Sequence, residues 1–232
     1  MFSYEVEQVF TGIISDVGEI LEVKEQGEGL RRLTIACGYD PDTIDIGASI
    51  ACAGPCLTVV ARGSPDPTLR RLRGREVRGW FAVDVAVETL RVTTAGSWQV
   101  GTKLNLERSL RLGDELGGHL VSGHIDGVAE LVARTDFHDS ARLMLRAPAA
   151  LMRFIAVKGS VVLDGVSLTV NEVGEDAFSL LLIPHTLQVT TLGALRAGDR
   201  ANLEVDLMAR YAARLLATAN VNTTAETPTT TT

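Results

Sequence analysis

Apolar residues in the chain alternate with polar ones over several short stretches. Residues 81–87 place Phe or Val at every odd position, and residues 178–182 place Phe or Leu at every even position. Leu203 and Val205 show the same spacing. A period of two is typical of β-strands that bury one face. Gly, Asp and Pro turns separate these stretches, so the pattern predicts two small, closed or partly closed antiparallel barrels, with a β-sandwich as the weaker alternative.

The pattern changes after the last alternating stretch. Leu207, Tyr211 and Leu215 follow one another at intervals of four, which is helical spacing. This spacing predicts one amphipathic helix over 207–217 that packs on its own barrels or on other subunits. Residues 218–232 are polar and rich in Thr, and we expect them to form a disordered tail.

The chain contains an internal repeat. Residues 47–59 align position by position with residues 158–170, at an offset of 111. Residues 88–96 align with residues 185–193, where the offset is 97. Repeats of about 100 residues are too long for a solenoid and suit two similar small domains.

The fall in offset locates an insertion in the first copy. The smaller offset also pairs residues 105–107 with 202–204, so the 14 extra residues precede them. The run 62–79 is rich in Pro and Arg, which predicts a surface loop there. We therefore expect a first barrel over 9–113 and a second over 114–206, with no convincing helix inside either copy.

Composition and charge exclude several classes of protein. A net charge of −7 argues against nucleic acid or an anionic membrane as the partner, and 5% aromatic residues oppose a single-strand nucleic-acid binder. No apolar run approaches a membrane span, and the first residues lack the layout of a secretory signal, so we expect a cytoplasmic protein. Cys37, Cys52 and Cys56 are expected to be reduced thiols.

Three residues are the first candidates for chemistry. Cys56 occupies the position where the second copy has Ser167, and it is either a reactive thiol or a buried apolar cysteine. His119 and His124 lie in the glycine-rich run 117–124, where backbone can approach a ligand closely. They either line a pocket or are exposed turn residues.

Two alternatives concern metal and turn chemistry. Cys52 and Cys56 with the two histidines would form a Cys₂His₂ set, but the histidines follow 63 residues later, outside ordinary zinc-finger spacing. A zinc site is therefore not expected. Asp164 is a candidate turn former, although its equivalent in the first copy is Ala53.

Six runs carry a resemblance that extends from Phe10 to about Leu216. They are FTGII at 10–14, GPCLTV at 54–59, ETLR at 88–91, GGHLVSGHI at 117–125, DGVSLTV at 164–170 and IPHTL at 183–187. In this order they resemble the signature runs of the riboflavin synthase α-chain family. Residues 1–8 precede the usual start of that family, Ala53 stands where it commonly has Asn, and the 62–79 insertion is longer than usual.

The resemblance implies an all-β fold and an enzyme. The fold is two tandem six-stranded antiparallel Greek-key barrels plus a C-terminal helix that assembles a homotrimer. A further expectation is that the protein associates with lumazine synthase. The activity is the dismutation of two 6,7-dimethyl-8-ribityllumazine molecules, bound between the first barrel of one subunit and the second barrel of its neighbour. This reaction needs no metal or other cofactor. The alternative is a non-catalytic lumazine- or flavin-binding protein on the same fold, which typically lacks the cysteine and the histidines.

The resemblance also implies site residues. Cys56 is the candidate nucleophile or its stabiliser, and His119 and His124 are candidate proton carriers. Asp164, Ser167 and Asp206 would complete the catalytic set by positioning ring and ribityl oxygens. The substrate-binding residues of the first copy would be Phe10, Thr11, Gly12, Ile13, Ile14, Ser49, Cys56, Leu57, Thr58, Asp84, Val85, Ala86, Val87, Glu88 and Thr89. Those of the second copy would be Gly123, His124, Ile125, Lys158, Ser167, Leu168, Thr169, Leu182, Ile183, Pro184, His185, Thr186 and Leu187.

Overall fold

Two closed barrels of antiparallel strands form the molecule. The computed structural model describes residues 9–27, 29–72 and 74–223, and it describes side chains as far as residue 217. The first half contains β1 (Asp16–Glu25), β2 (Leu30–Cys37), β3 (Ser49–Cys52), β4 (Cys56–Gly63), β5 (Arg71–Leu72), β6 (Arg75–Glu76), β7 (Gly79–Ala86), α1 (Val87–Val92) and β8 (Lys103–Arg108). The second half contains β9 (Gly127–Asp136), β10 (Ala141–Arg146), α2 (Ala149–Met152), β11 (Ser160–Leu163), β12 (Val166–Val173), β13 (Ala177–Leu182), α3 (Pro184–Val189), β14 (Arg200–Val205) and α4 (Leu207–Thr223).

Both barrels have the same strand order. The first closes in the order β1-β2-β7-β4-β3-β8, and the second in the equivalent order β9-β10-β13-β12-β11-β14. Each neighbouring pair is antiparallel, and the third strand of each copy lies away from the second in the Greek-key manner. The predicted fold class is confirmed, and the barrels are closed, so the sandwich alternative is wrong.

The alternating stretches form the barrel interiors. Phe81 and Val83 in β7 have no exposed surface, nor do Phe178 and Leu180 in β13. Successive side chains of a strand point to opposite faces, so every second residue enters the core. Each barrel therefore has its own hydrophobic core, as the two-domain prediction requires.

The expectation of no helix inside either copy was wrong. The helices α1 and α3 follow the fifth strand of their barrels, and each is followed by a short 3-10 segment. The side chains of Thr93 and Thr190 accept hydrogen bonds from the first turns of those segments. Helices of six residues are too short for an apolar stripe with a period of 3.6, which is why the sequence pattern misses them.

The insertion of the first copy is more ordered than a plain loop. It continues β4 to Gly63 and contains a short 3-10 turn and the β5–β6 hairpin. The Arg75 guanidinium pairs with the carboxylate of Asp16 at the start of β1, and Val77 is buried. The insertion is thus fastened to the outside of the first barrel.

The C-terminal helix is confirmed but is longer than predicted. The helix α4 continues to Thr223, so the first part of the expected disordered tail is helical, while residues 224–232 lie outside the described residues. Adding a turn to an existing helix costs far less than starting one, so polar residues can continue it. Arg210 donates to the Asp126 carboxylate at 2.7 Å, which ties the helix to the second barrel.

The two barrels meet across an interface that follows the repeat. Phe10 and Val121 occupy equivalent positions, and each backbone N–H donates to the other's carbonyl, at 2.8 and 3.0 Å. Their side chains pack with Ala51 and Val162, which are also equivalent, in a buried apolar cluster. The interface is therefore nearly symmetric.

Two equivalent asparagines hold this interface together. Asn202 donates to the Ala53 carbonyl at 2.7 Å and accepts from the Thr94 N–H at 2.7 Å. Asn105 makes the matching bonds to the second barrel, with the Asp164 carbonyl at 2.8 Å and the Thr191 N–H at 2.8 Å. Because both side chains are buried, these bonds cannot be replaced by water without opening the interface.

We predict that Asn202→Ala lowers the free energy of unfolding by about 2 kcal/mol or more, since it leaves the half-buried Thr94 N–H and the buried Ala53 carbonyl without partners. Urea unfolding followed by fluorescence measures the loss. The matched control is Asn171→Ala on β12, a position that is only half-buried. Equal losses in the two variants would contradict a special role for the interface bonds.

Candidate functional site

Each copy sends the run that begins it across to the other barrel. The Ser167 N–H donates to the Gly12 carbonyl at 2.8 Å, and the Cys56 N–H donates to the Gly123 carbonyl at 2.9 Å. The resemblance grouped Gly12–Ile14 with Cys56 in the first barrel and Gly123–Ile125 with Ser167 in the second. In the single chain the backbone contacts run between the copies instead, because the segments that pair at 10 and 121 cross the barrel interface.

Only glycine fits where these runs cross. A Cβ on Gly12 would lie 2.5 Å from the Ser167 Cβ, and one on Gly123 would lie 2.6 Å from the Cys56 Cβ. Both glycines also have a positive φ, of 76° and 72°. The close approach brings the two runs against the residues with the most reactive side chains of the predicted site.

Two buried glutamates hold the runs in place. The Glu107 carboxylate accepts from the Thr11 N–H and hydroxyl, both at 2.7 Å, and from the Gly12 N–H at 2.9 Å. Glu204 does the same for Ser122 and Gly123, at 2.7 to 3.0 Å. Burial raises the pKa of both carboxyl groups, and these hydrogen bonds partly oppose the rise.

Sequence reasoning assigned no role to these two glutamates or to the two interface asparagines. A signal was available, because the run Asn-Leu-Glu recurs at 105–107 and 202–204. Polar residues that recur at outward strand positions in both copies indicate a buried surface outside the barrel cores. The two glutamates and the two asparagines hold the segments around the predicted site in place.

The second barrel contains a hydrogen-bonded serine and histidine. The His119 Nδ1 lies 2.7 Å from the Ser167 Oγ. Its Nε2 is buried and has no hydrogen-bond partner among the described residues. Burial lowers the pKa of His119, and the negative charge of Asp206 acts in the opposite direction. The imidazole is therefore mainly neutral at neutral pH and can accept a proton.

The equivalent position in the first barrel carries a thiol. Cys56 is half-buried against the apolar interface cluster. Burial raises the pKa of the thiol, the negative charge of Glu204 raises it further, and a hydrogen bond with the Ser49 side chain lowers it. In the single chain Cys56 is thus protonated at neutral pH. This favours a role in stabilising the reaction over a role as a nucleophile that acts without a base.

Several further predicted residues lie on the outer faces of the same strands. Thr58 and Thr169 are exposed, and each pairs across its hairpin with a serine, Ser49 and Ser160. His124 is exposed beside Gly123, and its backbone N–H donates to the Ser122 hydroxyl at 3.3 Å. Other exposed positions are Ile13, Ala86, Val87, Glu88, Lys158, Ile183, Pro184 and His185.

Some predicted contact residues point into the interior instead. Val85 and Leu182 have no exposed surface and belong to the two barrel cores, and Leu57 is buried in the first core. Phe10 is fully buried between the barrels. A continuous run of strand residues alternates between faces, so only part of each predicted run can present side chains to a ligand.

Two of the predicted site residues, Asp84 and Asp206, make contacts that give them a structural role. Asp84 forms a two-point ion pair with Arg32, with both N···O distances 2.7 Å. Asp206 accepts from the Met208 N–H at 2.8 Å and so caps the start of α4. Asp206 also lies close enough to His119 to influence its charge.

Asp164 lies in the barrel interface. Its carboxylate accepts the Asn202 N–H at 2.7 Å, and its φ of 45° closely matches the 47° of Ala53. Burial raises the pKa of Asp164 to about 7, against the effect of the Asn202 hydrogen bond. Because it is buried beside the interface asparagine, its contacts in the single chain are those of a positioning residue.

The cysteines and histidines do not converge. Cys52 is buried in the first barrel core, whereas Cys56 lies on the outer face of the same hairpin. Across residues 9–27, 29–72 and 74–217, no group of three His, Cys, Asp or Glu side chains is placed to hold a metal ion. The same part of the chain has no helix long and apolar enough to cross a membrane.

Two open grooves run between the barrels and follow the repeat. One, of about 670 Å³, is lined by Ile14 and His185 among others, and so brings two predicted substrate residues together. Its counterpart, of about 710 Å³, is lined by residues of α1 and by Val128 and Arg200. Both volumes are in the range of small-ligand pockets.

Comparisons with known proteins agree with the duplicated fold. The family described as Lumazine binding domain matches residues 11–109 and 122–206. The riboflavin synthase of Brucella abortus (strain 2308) is 56% identical over 207 residues, which cover 89% of this chain and 98% of that protein. The riboflavin synthase of Mycobacterium tuberculosis (strain ATCC 25618 / H37Rv) is 40% identical over 214 residues, 91% and 100% of the two chains. A crystal structure of LumP complexed with riboflavin has a similar fold, with a TM-score of 0.72 at 24% identity over 85% of this chain and 99% of that one.

We predict that Asp164→Asn changes how stability depends on pH. Between about pH 4 and pH 7 the folded chain holds the Asp164 proton while the unfolded chain has released it, so this group lowers stability as the pH rises through that range. The amide side chain of the variant does not ionise in this pH range. Its stability relative to the wild type should rise by up to about 4 kcal/mol between pH 4 and pH 7 and then level off.

Urea unfolding at intervals from pH 4.5 to pH 8 measures this difference. The comparison between variant and wild type cancels the titration of Glu107 and Glu204, which both chains share. Parallel pH profiles for the two chains would show that Asp164 is ionised in the folded protein throughout.

Proposed function

The chain belongs to the riboflavin synthase family, and we propose that it converts two molecules of 6,7-dimethyl-8-ribityllumazine into riboflavin and 5-amino-6-(D-ribitylamino)uracil, the last step of riboflavin biosynthesis. The observation that carries the proposal is the match to curated riboflavin synthases over nearly the whole chain, with both lumazine-binding copies present. The reaction moves a four-carbon unit from one substrate molecule to the other, which makes the enzyme a transferase.

The arrangement of the two barrels suits a reaction between two copies of one substrate. Each barrel has a reactive residue at the same position, Cys56 or Ser167, and each receives a glycine run from the other copy. Equivalent surfaces of this kind can bind two identical rings in related orientations. The reaction needs no resident metal or redox cofactor, because one lumazine is oxidised while the other is reduced.

The chemistry requires a proton acceptor and a group that adds to the second ring. We assign proton transfer to His119 and His124, since imidazole is the side chain that most often transfers protons in catalysis. Cys56 serves the ring that is attacked, as a hydrogen-bonding stabiliser or, once a base assists it, as the nucleophile. Thr58 and Thr169 are exposed on the same strand faces and would bind ring or ribityl oxygens.

We further propose that α4 assembles a homotrimer. Met208, Tyr211 and Leu215 follow one another at helical spacing and are 62 to 70% exposed in the single chain. Three such helices packed together would remove this apolar stripe from water. The lumazine pair would then lie between the first barrel of one subunit and the second barrel of its neighbour. Association with lumazine synthase stays a prediction.

The cytoplasm is the compartment that we propose. Cys37 and Cys52 are buried free thiols, and Cys56 is also unpaired, as expected for a reducing compartment.

We predict that the purified chain forms riboflavin from 6,7-dimethyl-8-ribityllumazine without added metal, and that Cys56→Ser and His124→Ala each lower turnover by about 10-fold or more. Absorbance and fluorescence of riboflavin follow the reaction, and thermal unfolding checks the fold. Thr223→Ala, at the end of α4, is the control variant. Tight binding of lumazine with no product would favour the non-catalytic alternative.

We predict that Leu215→Asp converts the trimer to monomers, because three carboxylates would meet in an apolar contact. Sedimentation analysis gives the mass. Ala217→Asp is the matched control. Residue 217 lies on the opposite side of the helix from residue 208, and so outside the apolar stripe of Met208, Tyr211 and Leu215. A trimer that survives Leu215→Asp would exclude α4 as the assembly element.

A further inference from the structure

The crossing of the glycine runs places a buried acid of one copy behind the reactive residue of the other copy. Glu204 belongs to β14 of the second barrel, yet its carboxylate binds Ser122 and Gly123, in the run that crosses to the first barrel. The Gly123 carbonyl then accepts the Cys56 N–H at 2.9 Å. Glu204 and Cys56 are therefore joined through a single residue, although they belong to different copies of the repeat.

The contact between this run and Cys56 is close and dry. A Cβ on Gly123 would lie 2.6 Å from the Cys56 Cβ and 2.9 Å from the Cys56 backbone nitrogen. Glu204 is 1% exposed, and Cys56 packs against the apolar interface cluster. Because little water can screen a charge at such a place, a negative charge on Glu204 acts strongly on the thiol.

The hydrogen bonds of Glu204 favour its ionised form. The N–H and hydroxyl of Ser122 and the N–H of Gly123 all donate to the carboxylate, and donors of this kind stabilise the charged form of an acid. Burial raises the pKa of Glu204, these hydrogen bonds lower it, and the negative charge of Asp126 raises it. Glu204 therefore brings a negative charge to the inner side of the Cys56 site.

A negative charge opposes the ionisation of a neighbouring thiol. Burial raises the pKa of Cys56, the hydrogen bond with the Ser49 side chain lowers it, and the negative charge of Glu204 raises it. Burial and the carboxylate therefore act in the same direction, towards the protonated thiol.

The other titratable and charged groups around this pair leave that direction unchanged. The Cys52 thiol on β3 interacts with Cys56, and burial raises the pKa of Cys52 well above its ordinary value, so it stays neutral. Asp126, just before β9, faces Glu204, but it forms an ion pair with Arg210 of α4 at 2.7 Å. Glu204 is thus the carboxylate that acts on the thiol.

The equivalent acid of the first copy offers an internal comparison. Glu107 binds Thr11 and Gly12 through the same three hydrogen bonds, and Gly12 lies against Ser167. A serine hydroxyl does not ionise in the pH range in which a thiol does. Of the two glutamates, only Glu204 has a titratable side chain on the other side of its glycine.

We propose that Glu204 is a positioning residue for Cys56, and that its buried carboxylate keeps the thiol of the first barrel protonated. Where it concerns turnover, this inference rests on the proposed function. A protonated thiol can donate a hydrogen bond to a bound ring, whereas a thiolate is a nucleophile. Glu204 thus selects the stabilising role of Cys56 over the nucleophilic one.

The test measures the rate at which iodoacetamide alkylates Cys56 between about pH 6.5 and about pH 10.5. Mass spectrometry of the Cys56 peptide separates this reaction from any at Cys37 or Cys52. The full chain is compared with Glu204→Gln and with the matched control Glu107→Gln, which removes the same charge and the same bond to a glycine in the other run.

The expected result is a shift in one variant only. Glu204→Gln should move the alkylation midpoint to lower pH and raise the rate at about pH 7.5 by about 3-fold. One unit of pKa changes the thiolate fraction about tenfold, and the lower basicity of the thiolate cancels about half of that gain on a logarithmic scale. Glu107→Gln should keep the wild-type midpoint.

The wild type gives a readout that does not depend on how well a variant folds. If Glu204 keeps the thiol protonated, the wild-type midpoint lies above about 8.5, the ordinary pKa of a cysteine thiol. A midpoint at or below that value would overturn the proposal even if Glu204→Gln failed to fold. Thermal unfolding of both variants checks the fold.

Turnover supplies the second readout. The kcat/KM for riboflavin formation reports the ionising groups of the free enzyme. If turnover uses the protonated thiol, kcat/KM falls as the pH rises through the pKa of Cys56. Glu204→Gln should then move this fall to lower pH, in step with the alkylation midpoint, whereas Glu107→Gln should leave the pH of the fall unchanged whatever its effect on the absolute rate.

The outcomes separate the two levels of the proposal. Equal alkylation midpoints in the wild type and Glu204→Gln, or equal shifts in both glutamine variants, would overturn the role of Glu204. A shifted midpoint with an unshifted kcat/KM profile would show that turnover does not use the protonated thiol. A wild type that binds lumazine without forming riboflavin would overturn the proposed function, while its alkylation profile would still decide the role of Glu204.

Discussion

The structure depends on the exchange of two short backbone runs between the barrels. Gly12 and Gly123 each carry a carbonyl to an N–H group of the other barrel, and Glu107 and Glu204 bind the N–H groups of the same runs. A run held on both sides cannot shift without breaking several buried hydrogen bonds at once. The positions of Cys56 and Ser167 relative to the glycines beside them are therefore fixed by the fold itself and do not need a ligand to set them.

Much of the fold could be predicted from the sequence, because its signals are local or repeated. The alternation at 81–87 and 178–182 specifies strands, and the repeat specifies two similar units. The exchange could not be predicted in this way. A repeat shows that Gly12 and Gly123 are equivalent, but equivalence does not say which barrel either one touches. Six-residue helices such as α1 lie below the length at which periodicity is visible.

The site was predicted less completely than the fold, for a related reason. The resemblance supplied continuous runs, such as Asp84–Thr89, which begins in β7 and ends in α1, and side chains along such a run point in different directions. Burial separates them, with Val85 in the core and Glu88 at the surface. The perturbed pKa values of Asp164 and His119 come from burial between parts of the chain that are distant in sequence. No local pattern contains that information.

The exchange also has a consequence for the order in which the protein can fold during synthesis. The partner of Phe10 is Val121, and the partner of Gly12 is Ser167, which leaves the ribosome more than 150 residues later. The first barrel can close its own strands early, and its Glu107 can bind the leading segment, but the Ser167 N–H that binds the Gly12 carbonyl follows only when much of the second barrel has been translated. Until Val121 and Val162 have followed, the apolar residues Phe10 and Ala51 lack their packing partners and remain exposed to solvent and to other nascent chains. Translation speed through the second copy, and the chaperones that reach the ribosome, therefore matter more for this chain than for two barrels joined only by a linker.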